Sequence, residues 1–522
     1  MTPITIPILL LVLPLLALYH YLLYPLLFSP LCKIPAANPF ASISSLWILY
    51  IRWLNIENQT LLRLHEKLGP IVRLAPNELS VNCYEGGLKT IYGGGFAKDE
   101  FYVRRFVNYG KVNMLCMTDN KEHGLRRRML SSVYSKSSIM SSANLRVTSR
   151  IILFDRLLPQ LVKSAEDGKA VDMFKLSYAY SMDSFMAFQF GLKLGSNFLQ
   201  DTRERDWYMN AFFGRRKWYF WSDNFSGLVG GLLKMGVHLV PKWITVANEE
   251  QADWVLKKCD QAEEMIASGQ GIATGDEPTP FIQERAAMRK AGGDDKSDSK
   301  DYPYRWELAS EMYDHSAAAM ETSGDTLTYV FYELSRHPEL QKKLRDELLQ
   351  LDPPLRYTVD GEVDLPEFKA LDNIPLLSAI LQETLRRWTP VPGGQPRVTP
   401  SPVCSLAGYD NIPPGVKVHS SAGVLHRNPN VFPNPEEWNP DRWLEASDKQ
   451  TSEMSRWFWA WSSGGTTCLG NNFATNSMKL VIAAVYSNFT TSIVDAEGIE
   501  QDEGYTAGPK GSKLMLQFNR IE

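Results

Sequence analysis

An uncharged segment at the start of the chain limits its possible folds more than any other stretch. No Asp, Glu, Lys or Arg occurs between Ile4 and Leu27. As one α-helix, at about 1.5 Å per residue, this segment would reach roughly 36 Å, enough to cross the hydrocarbon core of a membrane. Pro7, Pro14 and Pro25 would break a soluble helix but are better tolerated in lipid. We therefore expect a single transmembrane helix.

Positive charge begins only after this segment, with Lys33 and Arg52. The positive-inside rule then places the rest of the chain in the cytosol. A cleaved secretory signal is the alternative, which the length of the apolar run and the lack of basic residues ahead of it disfavour. Prolines and small residues follow and predict a stiff linker. The expected boundaries are 1–29 for the anchor, 30–47 for the linker and 48–522 for a folded body.

The composition fits a globular body. Hydrophobic residues make up 44% of the 522 residues and charged residues 22%, which excludes collagen-like and disordered chains. The net charge of −4 is too balanced for a nucleic-acid-binding surface. The six cysteines are scattered without a C-x-x-C pair, so the sequence indicates neither a zinc module nor a disulfide framework.

Helical periodicity dominates this body, so the predicted fold class is mainly α with small β-sheets. Alternating side chains over 71–82 predict a short hairpin. The polar, Gly-rich stretch 269–304 is typical of a surface loop or a partly disordered connection. Long helices are predicted near 121–165, 242–268, 305–336, 338–350, 375–388 and 469–488.

Cys468 has neighbours that suggest chemistry. It follows a glycine-rich loop that starts at Trp461, and an amphipathic helix begins directly after it. Glycines let the backbone approach a flat cofactor, and the N–H groups at a helix N-terminus favour a thiolate. Such a cysteine can bind a metal, whereas an isolated cysteine is more often an inert core thiol.

Two acid-containing motifs lie upstream of this loop. Glu383 and Arg386 share one face of an apolar helix, and the apolar flanks favour a buried pair over the commoner solvated one. Glu321 and Thr322 follow a run of small residues that would interrupt a long helix. A carboxylate beside a hydroxyl can relay protons in a dry cavity, and close packing of small residues between helices is the alternative.

The order and spacing of these motifs resemble the cytochrome P-450 family of haem-thiolate monooxygenases over essentially the whole chain. The resemblance implies the P-450 fold, a triangular helical haem-binding body, with 48–522 as the catalytic domain behind one transmembrane helix. It implies that Cys468 is the axial thiolate ligand of haem b. Gly464 and Gly470 match the glycines of its loop, and Trp461 stands where the family usually has a Phe that shields the sulfur.

The same resemblance assigns roles to the acidic motifs. Glu383 and Arg386, with Arg442 as the third member, match the family's structural triad. Thr322 and Glu321 match the alcohol and acid that deliver protons during oxygen activation.

Other basic residues match contacts of the haem propionates. His123 and Arg127 resemble the pair on the third helix, and Arg397 resembles a further contact. Thr466 stands where the family usually has an Arg. Because two buried carboxylates need compensating charge, we expect His123, Arg127 and Arg397 to supply it.

The resemblance also outlines a substrate pocket, in which Ala319 replaces a commoner Gly. An aromatic cluster over 207–221 suits either a membrane-facing access channel or core packing. An apolar pocket favours a lipophilic substrate. By resemblance the pocket residues are Met114, Leu115, Ala318, Ala319, Val391 and Pro392.

The function implied is insertion of one O2 oxygen atom into a lipophilic small molecule, by hydroxylation, epoxidation or a related oxidation. Electrons would come from NADPH through a separate NADPH–cytochrome P-450 reductase. Arg126, Arg127 and Arg128 suit its docking patch, or simply a solvated helix face. Phrases over 71–80 and 128–135 are similar to fungal microsomal members. We therefore expect an endoplasmic reticulum membrane location and a tailoring step in secondary-metabolite biosynthesis.

Two other functions stay open at this point. A haem-thiolate isomerase or dehydratase would need no external electrons, but the Glu321–Thr322 pair argues against it. A non-catalytic haem-binding sensor or scaffold is suggested by Thr466. Membrane transport is disfavoured because only one span is predicted.

Overall fold

The computed structural model of the protein describes residues 5–292, 304–358 and 364–521. Its α-helices are α1 (Thr5–Leu18), α2 (Leu46–Trp53), α3 (Glu57–Leu68), α4 (Phe101–Phe106), α5 (Asn120–Leu130), α6 (Lys136–Ser141), α7 (Ala143–Arg150), α8 (Leu158–Glu166), α9 (Met173–Leu194), α10 (Thr202–Gly214), α11 (Tyr219–Lys234), α12 (Lys242–Ala267), α13 (Thr279–Gly292), α14 (Arg305–Arg336), α15 (Pro338–Leu348), α16 (Phe368–Asp372), α17 (Pro375–Arg387), α18 (Ala422–Leu425), α19 (Asp441–Leu444), α20 (Asp448–Trp457) and α21 (Asn471–Asn488). Shorter helical turns of π or 3-10 type are Tyr19–Phe28, Pro30–Lys33, Tyr84–Gly93, Ile151–Leu157, Arg216–Trp218 and Gly464–Thr466.

The strands form small sheets, so the predicted fold class is confirmed. A five-stranded sheet has the order β1-β2-β8-β5-β3, a three-stranded sheet the order β4-β10-β9, and β6 pairs with β7. The strands are β1 (Ile71–Ala75), β2 (Glu78–Val81), β3 (Ala97–Lys98), β4 (Val171–Asp172), β5 (Gly394–Val398), β6 (Cys404–Leu406), β7 (Tyr409–Ile412), β8 (Lys417–Ser421), β9 (Phe489–Asp495) and β10 (Met515–Arg520).

The expected single transmembrane helix is not supported. Helix α1 ends at Leu18 and the chain continues as a π-helical turn over Tyr19–Phe28. Pro14 lies inside α1 and Pro25 inside the turn, and each removes one N–H donor from the helical ladder. Among the residues that the structure describes, which leave out 1–4, no helix has both the length and the apolar character to cross a membrane.

The predicted linker folds onto the body. Leu31, Ile34 and Ala41 are buried, and Ala36 forms a bridge to Arg73 of β1. The guanidinium of the buried Arg73 donates to the carbonyl oxygens of residues 25, 42 and 76, at 3.0, 3.3 and 2.9 Å. The segment is therefore held by the sheet as well as by its prolines.

The β1–β2 hairpin is antiparallel, as predicted, with Val72 opposite Ser80. Every residue of both strands is buried. The hairpin therefore has no solvated face, although its alternating sequence is typical of a half-exposed sheet.

The helical core is built around α9 and α14. Helix α14 runs unbroken from Arg305 to Arg336, so its small residues do not interrupt it. They allow close approach instead, because a Cβ atom at Gly324 would lie 2.7 Å from the ring of Tyr178 on α9. This continuous helix carries Glu321 and Thr322 past the cavity described below.

The region 121–165 is divided into short helices rather than one long one. The hydroxyl of Ser135 accepts from the N–H of Ser138 at 3.3 Å, and that of Ser142 accepts from Leu145 at 3.0 Å. These side chains cap new helix N-termini at α6 and α7. The prediction of helical structure for this region was correct. The caps, however, end one helix and start the next, so the region consists of several helices.

The stretch 269–304, predicted as a loop, contains helix α13. Phe281, Glu284 and Met288 of this helix are buried. The helix has an apolar face that the polar composition of the stretch conceals. Residues 293–303 lie outside the described residues.

Candidate functional site

A cavity of about 1010 Å³ lies between the middle of α14 and the loop before α21. Pro392 and Gly464 are not among the residues that line it. The predicted site and pocket residues that do line it are Met114, Leu115, His123, Arg127, Ala318, Ala319, Glu321, Thr322, Val391, Arg397, Trp461, Cys468 and Gly470.

Cys468 lies at the end of the glycine-rich loop, three residues before α21 begins. Its N–H donates to the carbonyl oxygen of Trp461 at 2.8 Å, which closes the loop. Burial raises the pKa of the Cys468 thiol, whereas the N–H of Gly470, the charge of Arg127 and the N–H of Asn471 act in the opposite direction. The thiolate therefore has donors and a cation ready to stabilise it.

Gly464 fixes the start of this loop from outside the cavity. Its φ of +65° favours glycine, and a Cβ atom there would overlap the carbonyl oxygen of Tyr92. Gly465 has open space around its missing Cβ. Only the first of these two glycines is therefore required by backbone geometry.

Three basic side chains, Lys98, Arg127 and Arg397, form what we call the cavity floor. Arg397 is 2% exposed, and its guanidinium donates to the hydroxyls of Tyr102 at 2.9 Å and Thr466 at 3.1 Å. None of the three forms an ion pair with a carboxylate in the part of the chain that the structure describes. The floor therefore carries basic groups without an ion-pair partner among the described residues.

Lys98 was missed by sequence reasoning. It lies opposite Arg397 where β3 pairs with β5, and its ammonium donates to the carbonyl oxygens of Met114 and Leu115 at 3.0 and 2.8 Å. Burial, and then the charge of Arg397, lower the pKa of Lys98 to about 7. A two-residue strand leaves no periodic signal, so only the sheet pairing reveals the residue.

His123 differs from the expectation that it supplies positive charge. Burial, followed by the charges of Lys98, Arg127 and Arg397, lowers the pKa of His123 to about 4. The ring is therefore neutral at pH 7 in this environment. It can still donate a hydrogen bond to an anion, and the guanidinium groups of Arg127 and Arg397 remain as cations at the cavity floor.

Thr322 and Glu321 have different surroundings on α14. The hydroxyl of Thr322 donates to the carbonyl oxygen of Ala318 at 2.9 Å. The carboxylate of Glu321 pairs with Arg216 at 2.6 Å and accepts from the hydroxyl of Thr506 at 2.9 Å. The hydroxyl oxygen of Thr322 can therefore still accept a hydrogen bond in the cavity. The carboxylate of Glu321 is instead held by Arg216 in the α10–α11 connection.

The Glu383–Arg386–Arg442 triad lies away from the cavity. Glu383 and Arg386 are fully buried and joined at 2.7 Å, and Nε of Arg442 lies 3.4 Å from Oε1 of Glu383. The indole of Trp443 and the N–H of Asn439 also donate to Glu383, at 2.9 and 3.0 Å. Every charge in this network has partners from the chain itself, which is the arrangement expected of a structural element.

Comparison of the sequence with known proteins identifies the family of this chain. The family model described as Cytochrome P450 matches residues 45–515. The chain belongs to the cytochrome P450 family. This P450 is 27% identical to cytochrome P450 monooxygenase hkm5 of Aspergillus hancockii over 503 residues, which are 94% of this chain and 91% of the relative.

Two further relatives are also fungal. Cytochrome P450 monooxygenase avaI of Aspergillus versicolor is 27% identical over 433 residues, 80% of this chain and 95% of the relative. Cytochrome P450 monooxygenase BOT1 of Botryotinia fuckeliana is 25% identical over 477 residues, 90% of this chain and 86% of the relative. The P450 is therefore an enzyme of the monooxygenase class.

The residues of the P450 fit the haem that the family implies. Cys468 offers a sulfur ligand at one wall of the cavity, and the floor offers cations with no carboxylate of their own among the described residues. A haem carries two propionates, so this uncompensated positive charge matches its negative charge. The hydroxyl of Thr466 accepts from the guanidinium of Arg397 at 3.1 Å, which links the loop to the cavity floor.

The three consecutive arginines of α5 do not share one surface. Arg126 lies near the buried Glu284 and Glu311, at 3.6 and 3.5 Å, and Arg127 lines the cavity. Only Arg128 is exposed. Of the three, only Arg128 therefore offers an exposed charge to a docking partner, because successive helical positions face different directions.

The aromatic cluster over 207–221 is divided in the same way. Tyr208 is buried in the core, whereas Phe212, Trp218 and Tyr219 line the cavity. Core packing and cavity lining are thus both present, on successive turns of the chain.

Proposed function

We propose that this P450 inserts one oxygen atom of O2 into a lipophilic small molecule, by hydroxylation, epoxidation or a related oxidation. The observation that carries the proposal is that Cys468 and Thr322 line one cavity. A thiolate ligand and a hydroxyl for proton transfer are the two groups that this chemistry needs from the protein. Cys468 and Thr322 belong to different elements, the loop before α21 and α14. The fold itself brings them to the same cavity.

When bound, the haem supplies O2 activation, and its cysteine thiolate ligand favours O–O cleavage. Cys468 would hold its iron, and Lys98, Arg127 and Arg397 would hold its propionates. Thr322 has an oxygen that can accept a hydrogen bond while its proton is donated to Ala318. It can therefore hold a water or another proton donor on its side of the cavity.

The substrate class follows from the walls of the cavity. Met114, Leu115, Ala318 and Val391 contribute apolar surface. Ala319 carries a methyl group that a glycine would lack, which narrows the cavity beside α14. Apolar walls exclude water and favour a lipophilic molecule.

We propose that electrons come from NADPH through a separate reductase, and that the enzyme works at the endoplasmic reticulum membrane. Exposed apolar side chains between Val12 and Phe28 support contact with lipid. We also propose a tailoring step in secondary-metabolite biosynthesis, which rests on the resemblance to fungal microsomal members; the compared relatives are fungal monooxygenases.

The test is to express the enzyme with a fungal NADPH–cytochrome P450 reductase and to analyse lipid-phase extracts of the host. The expected result is a new product whose mass exceeds that of a host metabolite by one oxygen atom, formed only with the reductase. A product that forms equally without reductase would support the isomerase or dehydratase alternative. No turnover of any lipophilic substrate, despite a normal haem-thiolate spectrum, would support a non-catalytic role.

A further inference from the structure

The turn between α10 and α11, Arg215–Trp218, covers part of the cavity and is here called the roof turn. Arg215 and Trp218 line the cavity. Arg216, next in sequence, is neutralised by Glu321 at 2.6 Å. Arg105 of α4, which also lines the cavity, is neutralised by Asp223 at 2.5 Å. Arg216 of the roof turn and the nearby Arg105 are therefore both paired with carboxylates of the chain.

Arg215 is the exception. It is 8% exposed, and its guanidinium contacts only neutral groups: the amide oxygen of Asn248, the hydroxyl of Tyr313 at 3.3 Å, and the ring of Phe212 at 4.7 Å. Within the described residues it forms no ion pair. Burying a charge without a partner destabilises a folded protein, so the retention of Arg215 needs an explanation.

Unused hydrogen-bond donors lie at the same place. Nε of Arg215 is buried without an acceptor among the described residues, and so is the indole nitrogen of Trp218. Glu249 and Asp253 of α12 also line the cavity, but neither is paired with Arg215 in the structure as described. The roof turn thus places a positive charge without an ion-pair partner among the described residues at the cavity wall, and two buried N–H donors without acceptors lie beside it.

We infer that Arg215 is a specificity-determining residue that binds a carboxylate of the substrate. The inference rests on the proposed function and narrows it: the substrate is a lipophilic carboxylic acid, held by its acid group under the roof turn. A guanidinium binds a carboxylate through paired N–H donors. The apolar walls would then contact the rest of the molecule.

The position of Arg215 also limits which carbon is oxidised. Arg215 contacts Tyr313 on α14, nine residues before Thr322. At about 1.5 Å per residue this separation is about 13 Å along the helix axis. The oxidised carbon is therefore remote from the carboxylate rather than adjacent to it.

The test compares dodecanoic acid with methyl dodecanoate, which share a chain and differ in charge. Calorimetric titration of the haem-loaded enzyme at pH 7 gives the two dissociation constants. The expected result is that the acid binds at least tenfold more tightly than the ester. In Arg215→Gln the two should bind about equally, whereas Lys217→Gln, which removes a charge from the same turn, should keep the wild-type ratio.

A second readout separates recognition from structure. Because Arg215→Gln removes an uncompensated buried charge, its thermal midpoint without ligand should equal or exceed that of the wild type. If this variant fails to fold, Arg215→Lys keeps the charge and should retain part of the preference for the acid. Equal binding of acid and ester by the wild type, or an unchanged ratio in Arg215→Gln, would overturn the inference.

The proposed function is tested separately in the same samples. A normal haem-thiolate CO spectrum together with equal binding of the two probes would remove only the assignment of Arg215. A missing thiolate spectrum would overturn the proposed function itself, whatever the binding ratio.

Discussion

The Glu383 network and the cavity floor both bury charge, but the chain completes only the first. Glu383 has two arginines, an indole and a backbone N–H around it. Lys98, Arg127 and Arg397 have hydroxyls and carbonyl oxygens, or no hydrogen-bond partner, among the described residues. A closed network holds the fold together, whereas an open set of like charges indicates a bound anion. The difference separates structural residues from ligand-binding ones without reference to motifs.

The largest effect is expected from breaking the closed network. Glu383→Gln leaves Arg386 buried with a neutral partner, which should lower the free energy of unfolding by about 3–5 kcal/mol. Denaturant unfolding measures this loss. Glu453→Gln is the matched control, because Glu453 pairs with Arg456 at the same helical spacing but at the surface. The control should change stability by less than about 1 kcal/mol, and equal effects of the two substitutions would contradict the distinction.

The loop that brings Cys468 to the cavity should tolerate one glycine substitution and not its neighbour. Gly464→Ala forces a positive φ and an overlap with Tyr92, so we expect a loss of about 1–3 kcal/mol and weaker haem retention. Gly465→Ala meets open space and should change both properties little. Unfolding and the haem content after purification measure the pair. Similar behaviour of the two variants would show that the loop is not held by Tyr92.

Substitutions in the cavity floor should affect haem binding and not the stability of the haem-free protein, the opposite of what is expected for the triad. Arg127→Met removes a cation that has no carboxylate partner in the described chain, so the haem-free protein should keep its stability. Haem loss to an acceptor protein should be about tenfold faster, since a charge-assisted hydrogen bond contributes about 1.5–3 kcal/mol. A large loss of stability without haem would place Arg127 with the structural charges instead.

The smallest change in stability is expected at Thr322, although it lies at the reaction site. Thr322→Ala should retain haem and fold but convert several-fold more NADPH to peroxide, because the hydroxyl that holds a proton donor is gone. Peroxide formed per NADPH consumed is the measurement. Thr328→Ala removes a similar hydroxyl, bonded to Gly324 on α14 but outside the cavity lining, and serves as control. Unchanged coupling in Thr322→Ala would exclude the relay.

Local sequence signals predicted the parts of the molecule that depend on short-range contacts. The glycine-rich loop before Cys468 and the Glu383–Arg386 pair each lie within one loop or one helical turn. Their local geometry can therefore be predicted from the residue types and their spacing. The hairpin β1–β2 and the long helix α14 follow from periodicity in the same way. The family resemblance combined these signals into the correct fold.

Contacts between distant segments could not be predicted in this way. Lys98 reaches Arg397 through strand pairing, and Arg216 reaches Glu321 from a different helix. The lowered pKa of His123 comes first from burial and then from three cations on β3, α5 and β5. At the N-terminus, hydropathy alone did not show that the chain changes its winding after Leu18. Such features depend on tertiary neighbours, which residue type and spacing do not specify.

The central claim, that Cys468 is the thiolate ligand of a haem, is tested most directly by the reduced-CO absorption spectrum of the purified enzyme and of Cys468→Ala. The account predicts a thiolate-type band in the wild type and its loss in the variant. A thiolate-type band that persists in Cys468→Ala, or a wild-type spectrum typical of a nitrogen ligand, would contradict it.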